Sequence, residues 1–197
     1  MKLPKSVVRL GIGAFVLVPF TFLLTPGVIA APPNASIKIK IDTSKATPRD
    51  VEDQTEQSII RDYGKAWLSL EEALANNSAE SLSANFAGIA RDRWSATVSA
   101  QRKAGLSRKL VDRGHQLHVV FYSVEGSAME LMDTAQLEIQ YLDGGKVIHS
   151  ERVTGHFMVL MTPAENSWKV RILQEVPSEA PQQTAEFRVS GEGTGSK

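Results

Sequence analysis

A carboxylate set in an apolar surface is costly unless it is paired. Asp133 is placed that way here. Around it the odd positions Met129, Leu131, Ala135, Leu137, Ile139 and Tyr141 are apolar, whereas Glu130, Thr134, Gln136, Glu138 and Gln140 are polar. Such alternation describes a strand with one face on a core, and it puts Asp133 on that face. Its partner depends on how the strand pairs with the next one across Asp143-Gly144-Gly145-Lys146, a hairpin turn signal. A two-residue loop sets Asp133 opposite His156, an acid/base pair of catalytic use. A three-residue loop sets it opposite Gly155 and aligns Tyr141 with Val147, Ala135 with Val153, Leu131 with Phe157 and Met129 with Val159. The second register buries more apolar side chain on one face and is preferred. In that register His156 faces away. A hydrogen-bonded structural carboxylate then outweighs a catalytic one, because structural networks also hold buried acids. Tyr63, Trp67, Asp133 and Tyr141 are the expected lining of any pocket, although aromatics at helical spacing are more often plain core.

Other chemistry is sparsely supplied. His115 and His118 stand three apart at the entry to a strand, His149 and His156 lie further on, and the four offer no convincing ligand set. No metal site is expected, and no cofactor. The chain has no cysteine, which removes disulfides, thiolate nucleophiles and thiolate metal sites. Neither Gly-x-Ser-x-Gly nor a phosphate-binding glycine loop is present.

The elements that must position these groups follow from periodicity. Between 55 and 76, Ile59, Ile60, Tyr63, Ala66, Trp67, Leu70, Ala73 and Leu74 recur at i, i+3, i+4, the pattern of an amphipathic helix. Asn76-Asn77-Ser78 ends it, and a second helical stretch over 79–103 carries Leu82, Phe86, Ile89, Ala90, Trp94, Thr97 and Val98, with a break near Gly88 and a stop at Gly105. Four strands follow, over 116–124, 128–142, 146–161 and 168–176. The first, apolar on both faces, reads as a covered strand, and Trp168, Val170 and Ile172 give the last its inward side. The fold class is α+β: helices packed on a curved, four-stranded antiparallel sheet.

Flanking segments speak to address and partners. Residues 1–30 read as an export signal, with Lys2, Lys5 and Arg9, then an apolar run from Leu10 to Leu24, a break at Thr25-Pro26-Gly27, and Val28 and Ala30 placed for cleavage after Ala30. An uncleaved anchor is the competing reading, weakened by Gly11, Gly13, Pro19 and Pro26. The expected location is periplasmic or secreted, or anchored in the inner membrane if the signal stays, with membrane contact through that segment alone. Residues 31–54 read as a linker, since Ile37, Ile39 and Ile41 alternate with lysines as a solvated extended piece does. Residues 178–197 read as a disordered tail. Lys+Arg and Asp+Glu number 22 each; without the first 30 residues, 19 basic stand against 22 acidic, a net charge of −3. Nothing in that balance calls for nucleic acid. Seven basic residues lie between Arg91 and Arg113, mostly a solvated helix face and a polar loop; Arg102 and Lys103 are the expected docking residues if an anionic partner exists.

The helix "IIRDYGKAWLSLEEALANNSAESLSANF", the hairpin "YLDGGKVIHSE" and the closing "AENSWKVRILQEV" together resemble the cone-shaped α+β fold of the nuclear-transport-factor-like superfamily, also called cystatin-like or SnoaL-like, over about residues 55–177. The resemblance implies two kinds of function. Some members are isomerases and dehydratases with a His/Asp or Tyr/Asp set inside the cone; others are non-enzymatic domains, several behind an N-terminal membrane segment. Dimerisation through the outer sheet face is also implied. Only Asp133 matches the enzymes' pattern, so no catalytic residue is carried over. The expected function is an exported, non-catalytic domain that binds a protein partner or a small apolar ligand; the alternative is a small lyase- or isomerase-type enzyme with Asp133 as general base.

Overall fold

The computed structural model describes residues 37–177. The expected signal, the first part of the linker and the tail lie outside these residues. Strand β1 (Ile39–Asp42) is followed by helix α1 (Asp53–Asn76), a 3-10 turn (Glu80–Ala84), helix α2 (Gly88–Lys103) and four long strands: β2 (Leu106–Tyr122), β3 (Met129–Asp143), β4 (Lys146–Ala164) and β5 (Ser167–Glu175). They form one five-stranded sheet in the order β1-β2-β3-β4-β5. Neighbours are antiparallel except β1, which runs parallel to β2. Among the described residues no helix is long and apolar enough to cross a membrane.

The helices lie where periodicity puts them. Ile59, Tyr63, Ala66, Trp67, Leu70, Ala73 and Leu74 of α1 are buried and pack against Leu117, Val119, Met129, Leu131, Val159 and Met161 of the sheet within one core. Asn77 closes α1 in the left-handed conformation (φ 54°), its N–H donating to Ala73 O. The break near Gly88 is real, with φ 53° there. Leu82, Phe86, Ala90 and Val98 face inward, but Ile89 is 61% exposed. Asp62, wholly buried, accepts from Arg61 and from the backbone N–H of Trp168 at 2.8 Å, tying α1 to the start of β5. Burial alone would raise this carboxyl; those donors and Lys65 hold it below its usual value.

The sheet corrects the expected four-stranded one in several places. The isoleucine alternation within the expected linker is an edge strand: Ile39 and Ile41 lie opposite His115 and Leu117 of β2, and His115 N–H donates to Lys38 O. β2 starts at Leu106, within what reads as a polar loop, because Arg108, Lys109, Asp112 and Arg113 sit where the β2–β3 pair runs beyond most of the core. Nor is β2 covered on both sides, since Gln116 and His118 are exposed. On β5 the inward residues are Val170 and Leu173, with Ile172 only half-buried, because Arg171 is an extra residue: Leu160 of β4 pairs with Ile172 but Met161 pairs with Val170.

The β3–β4 hairpin takes neither expected register. Gly144 and Gly145, both at positive φ, make the two-residue turn that pairs Asp143 with Lys146. Ile148 is then an extra residue: Leu142 pairs with Val147 but Tyr141 pairs with His149. From there Asp133 lies opposite Phe157, Ala135 opposite Gly155 and Thr134 opposite His156. His156 does face away from the core, 3.3 Å from Thr134 Oγ1.

Gly155 carries a steric constraint. A Cβ there would stand 2.6 Å from the ring of Phe157, which packs edge-on to Trp67 at 5.5 Å. We expect Gly155→Val to cost about 2 kcal/mol, the scale of overpacking, measured by denaturant unfolding; parental stability would contradict this packing.

Candidate functional site

The interior polar groups are drawn from one helix and two strands. Tyr63 and Trp67, at i and i+4, leave α1 on the same face and point at the sheet. Tyr63 Oη donates to Asp133 Oδ2 at 2.7 Å. The second donor to that oxygen is His115 Nδ1, 2.8 Å away, and His115 Nε2 lies 2.6 Å from Asp112 Oδ2. Trp67 stacks obliquely on the imidazole with ring centroids 4.7 Å apart. The result is a chain Tyr63–Asp133–His115–Asp112, in which Tyr63, His115 and Asp133 are 0%, 2% and 1% exposed.

The β2 backbone explains how this set assembles. In an unbroken strand, residues three apart point to opposite faces, so Asp112 and His115 could not meet. Here Asp112 pairs with Leu137 and Gly114 with Gln136, leaving Arg113 as an extra residue. Arg113 turns outward to Glu138 at 2.7 Å. The bulge returns Asp112 and His115 to the same face, with Gly114 at φ 146°. The only trace of this in the sequence is a glycine inside an otherwise strand-like run.

Both ring nitrogens of His115 face carboxylate oxygens, so both carry hydrogens and the ring is an imidazolium. Burial opposes the charge, but hydrogen bonds and charge from Asp112 and Asp133 outweigh it and raise its pKa to about 9. Burial, together with the Asp133 charge, pushes the Tyr63 phenol well above its ordinary value, so it remains a donor. Glu71 is raised as well, by burial and then by Asp112. Three buried atoms of this group, Asp133 Oδ1, Asp112 Oδ1 and Trp67 Nε1, have no hydrogen-bond partner among the described residues.

Tyr63, Trp67 and Asp133, expected as the lining of a pocket, lie together in the interior, each almost wholly buried. Two surface grooves, of about 430 and 290 Å³, lie elsewhere, lined by Glu72, Asn76, Ser78, Glu80 and Ser81 and by Arg93, Trp94, Thr97, Leu173, Gln174 and Glu175 respectively. Tyr141 does not join the cluster. Eight residues along β3 from Asp133, about 26 Å at strand rise, it donates to Glu151 Oε1 at 3.1 Å and stacks near His149. The partner of Asp133 is His115, not His156. Arg102 and Lys103 are exposed in the last turn of α2, where cations complement the helix dipole. Among the described residues no group of His, Cys, Asp and Glu is arranged to hold a metal ion; the His115 nitrogens are committed to carboxylates.

The raised pKa of His115 fixes the sign of a pH dependence. Its proton is held more tightly folded than unfolded, where the value is about 6.5, so the stabilisation is complete below pH ~6.5 and is lost as pH rises through about 9. We expect stability to fall by something on the order of 3 kcal/mol across that window, and the slope to flatten in His115→Gln. A stability profile level between pH 6.5 and 9 would contradict the charged pairing.

No protein-family model and no curated protein matches the sequence. Solved structures do. The intermembrane space region of the chloroplast protein ARC6 aligns with a TM-score of 0.54 at 15% identity, over 66% of this chain and 100% of that one. A candidate scytalone dehydratase from Novosphingobium aromaticivorans aligns at 0.44 and 13% identity, over 64% of this chain and 89% of that one. A candidate dehydratase of the NTF2-like family from Streptomyces avermitilis aligns at 0.42 and 11% identity, over 64% and 99%. Likeness at such identities is one of fold. With two helices laid on a mostly antiparallel, bulged sheet, the chain shares the fold of that ARC6 region.

Proposed function

We propose that this chain is an exported, non-catalytic binding or assembly domain that recognises a protein partner through its outer surface. The observation that carries the reading is the closed interior. Tyr63, His115 and Asp133, the groups that chemistry would need, are almost wholly buried and hydrogen-bond one another. A substrate has no route to them in this conformation. The same filling disfavours a small apolar ligand inside the cone and shifts recognition outward, where Arg102 and Lys103 stand exposed at the end of α2. Export rests on residues 1–30, whose basic, apolar and small-residue regions have the order of a signal; retention of that segment would make the domain an inner-membrane-anchored one.

A second reading is favoured by one specific observation: a phenol and an imidazole converge on the Asp133 carboxylate at Oδ2, with three buried polar atoms of the cluster unpartnered among the described residues. That is the equipment of a lyase or isomerase working by general acid–base catalysis, provided the cone opens. Asp133 could then be general base with Tyr63 or His115 as donor.

One pair of variants separates the two readings. Arg102→Glu with Lys103→Glu should lose capture of a partner identified from host extract by mass spectrometry, with its melting temperature unchanged, whereas Asp133→Asn should lose stability but retain capture. The binding reading is sunk if the reversed charges leave capture intact. Turnover of a β-hydroxy carbonyl substrate panel by the parent, abolished in Asp133→Asn, would install the enzymatic reading instead.

A further inference from the structure

β4 is 19 residues long, but β5 accompanies it only from Phe157 to Ala164. The last bond on that side is Val176 N–H to His156 O. From Lys146 to Gly155, β4 is paired to β3 alone, and among the described residues nothing covers its other edge. Since His156 O points outward, strand alternation turns the backbone groups of Ser150, Arg152 and Thr154 outward too. Residues 146–150 are all exposed, Val147 by 47% and Ile148 by 56%. Folded proteins usually blunt such edges by shortness, proline or covering elements. A lysine and a bulge guard the tip of this one; its centre, His149-Ser150-Glu151, carries one charge, Glu151, but no proline and, among the described residues, no covering element.

We propose that this edge pairs antiparallel with the same edge of a second copy, about a two-fold axis at Ser150, joining the two sheets into one. Charge selects both the occupant and the register. A two-fold at Glu151 would oppose two carboxylates, and one at Arg152 would oppose two guanidinium groups, each unfavourable directly across a ladder. An axis at Ser150 sets His149 against Glu151 of the other copy, and does so twice. These are the non-hydrogen-bonded positions, where side chains approach closest. His149 and Glu151 share a face in the monomer, both lying beside the Tyr141 ring or hydroxyl, so each imidazole–carboxylate pair forms on that face without rearrangement. The same register sets Val147 against Val153. It leaves the β3 side of β4, and the buried polar chain, untouched.

The absence of cysteine makes the test direct. In the full chain carrying Ser150→Cys, the two thiols would stand on residues whose Cα atoms are about 5.5 Å apart, within disulfide range. Twin residues at Thr154→Cys would be separated by about eight strand positions, roughly 26 Å. Mild oxidation should link Ser150→Cys into a dimer at least about tenfold faster than Thr154→Cys. Ser150→Pro, which removes an outward N–H unused in the monomer, should weaken dimerisation about tenfold in sedimentation without lowering the melting temperature. Equal cross-linking at both positions, no cross-linking at either, or a dimer indifferent to Ser150→Pro would overturn the proposal. So would a dimer seen only when the chain stops after Pro177, because the edge would then belong to the chain's own C-terminal residues.

Discussion

The interior of this domain depends on a charge that has been taken out of water. His115 sits beneath Trp67 with a carboxylate on each ring nitrogen, and one of those carboxylates takes a further bond from Tyr63. Each partner makes the others tolerable. Without His115 two acids would face an apolar interior; without the acids a charged imidazole would be stranded there. Removing one member of such a set costs more than the interaction itself was worth, because the remainder is left uncompensated. The polar chain also runs across the fold, from α1 through β3 to β2, so it acts as a positional lock between helix and sheet as well as a contributor to stability.

Much of the fold is legible in the sequence because burial writes itself in periods. The i, i+4 stripe of α1, the asparagine at its end, the glycine turn of the hairpin and the inward placement of Asp133 all follow from side-chain spacing and appear in the structure. β1 and the first half of β2 are less legible because they lie at an edge and on an extension, where lysines and arginines occupy strand positions without penalty. Composition there resembles a linker or a loop because the solvent is the same.

The partners of Asp133 were hidden for a different reason. Straight alternation assigns faces by counting, and the count fails wherever a strand holds one residue more than its neighbour. Arg113 in β2 and Ile148 in β4 are such residues. The first brings Asp112 onto the side of His115; the second sets Phe157 rather than His156 or Gly155 across from Asp133. Tyr141, beyond the reach of the core, shows the complementary error: its parity is right, but the helices do not extend far enough to cover it. Parity chooses a face, and only the lengths of the neighbouring elements decide whether that face is an interior.

The bulge at Arg113 has a consequence for how this segment can vary. Exchanging the arginine for another residue removes one surface ion pair, a small loss. Deleting it would restore strict alternation, and every side chain from Leu106 to Asp112 would change sides relative to His115. Leu110 would then be turned to solvent and Asp112 carried away from its imidazole. What this strand must preserve is therefore a number rather than a name: it tolerates changes of spelling at Arg113 but not a change in the count of letters.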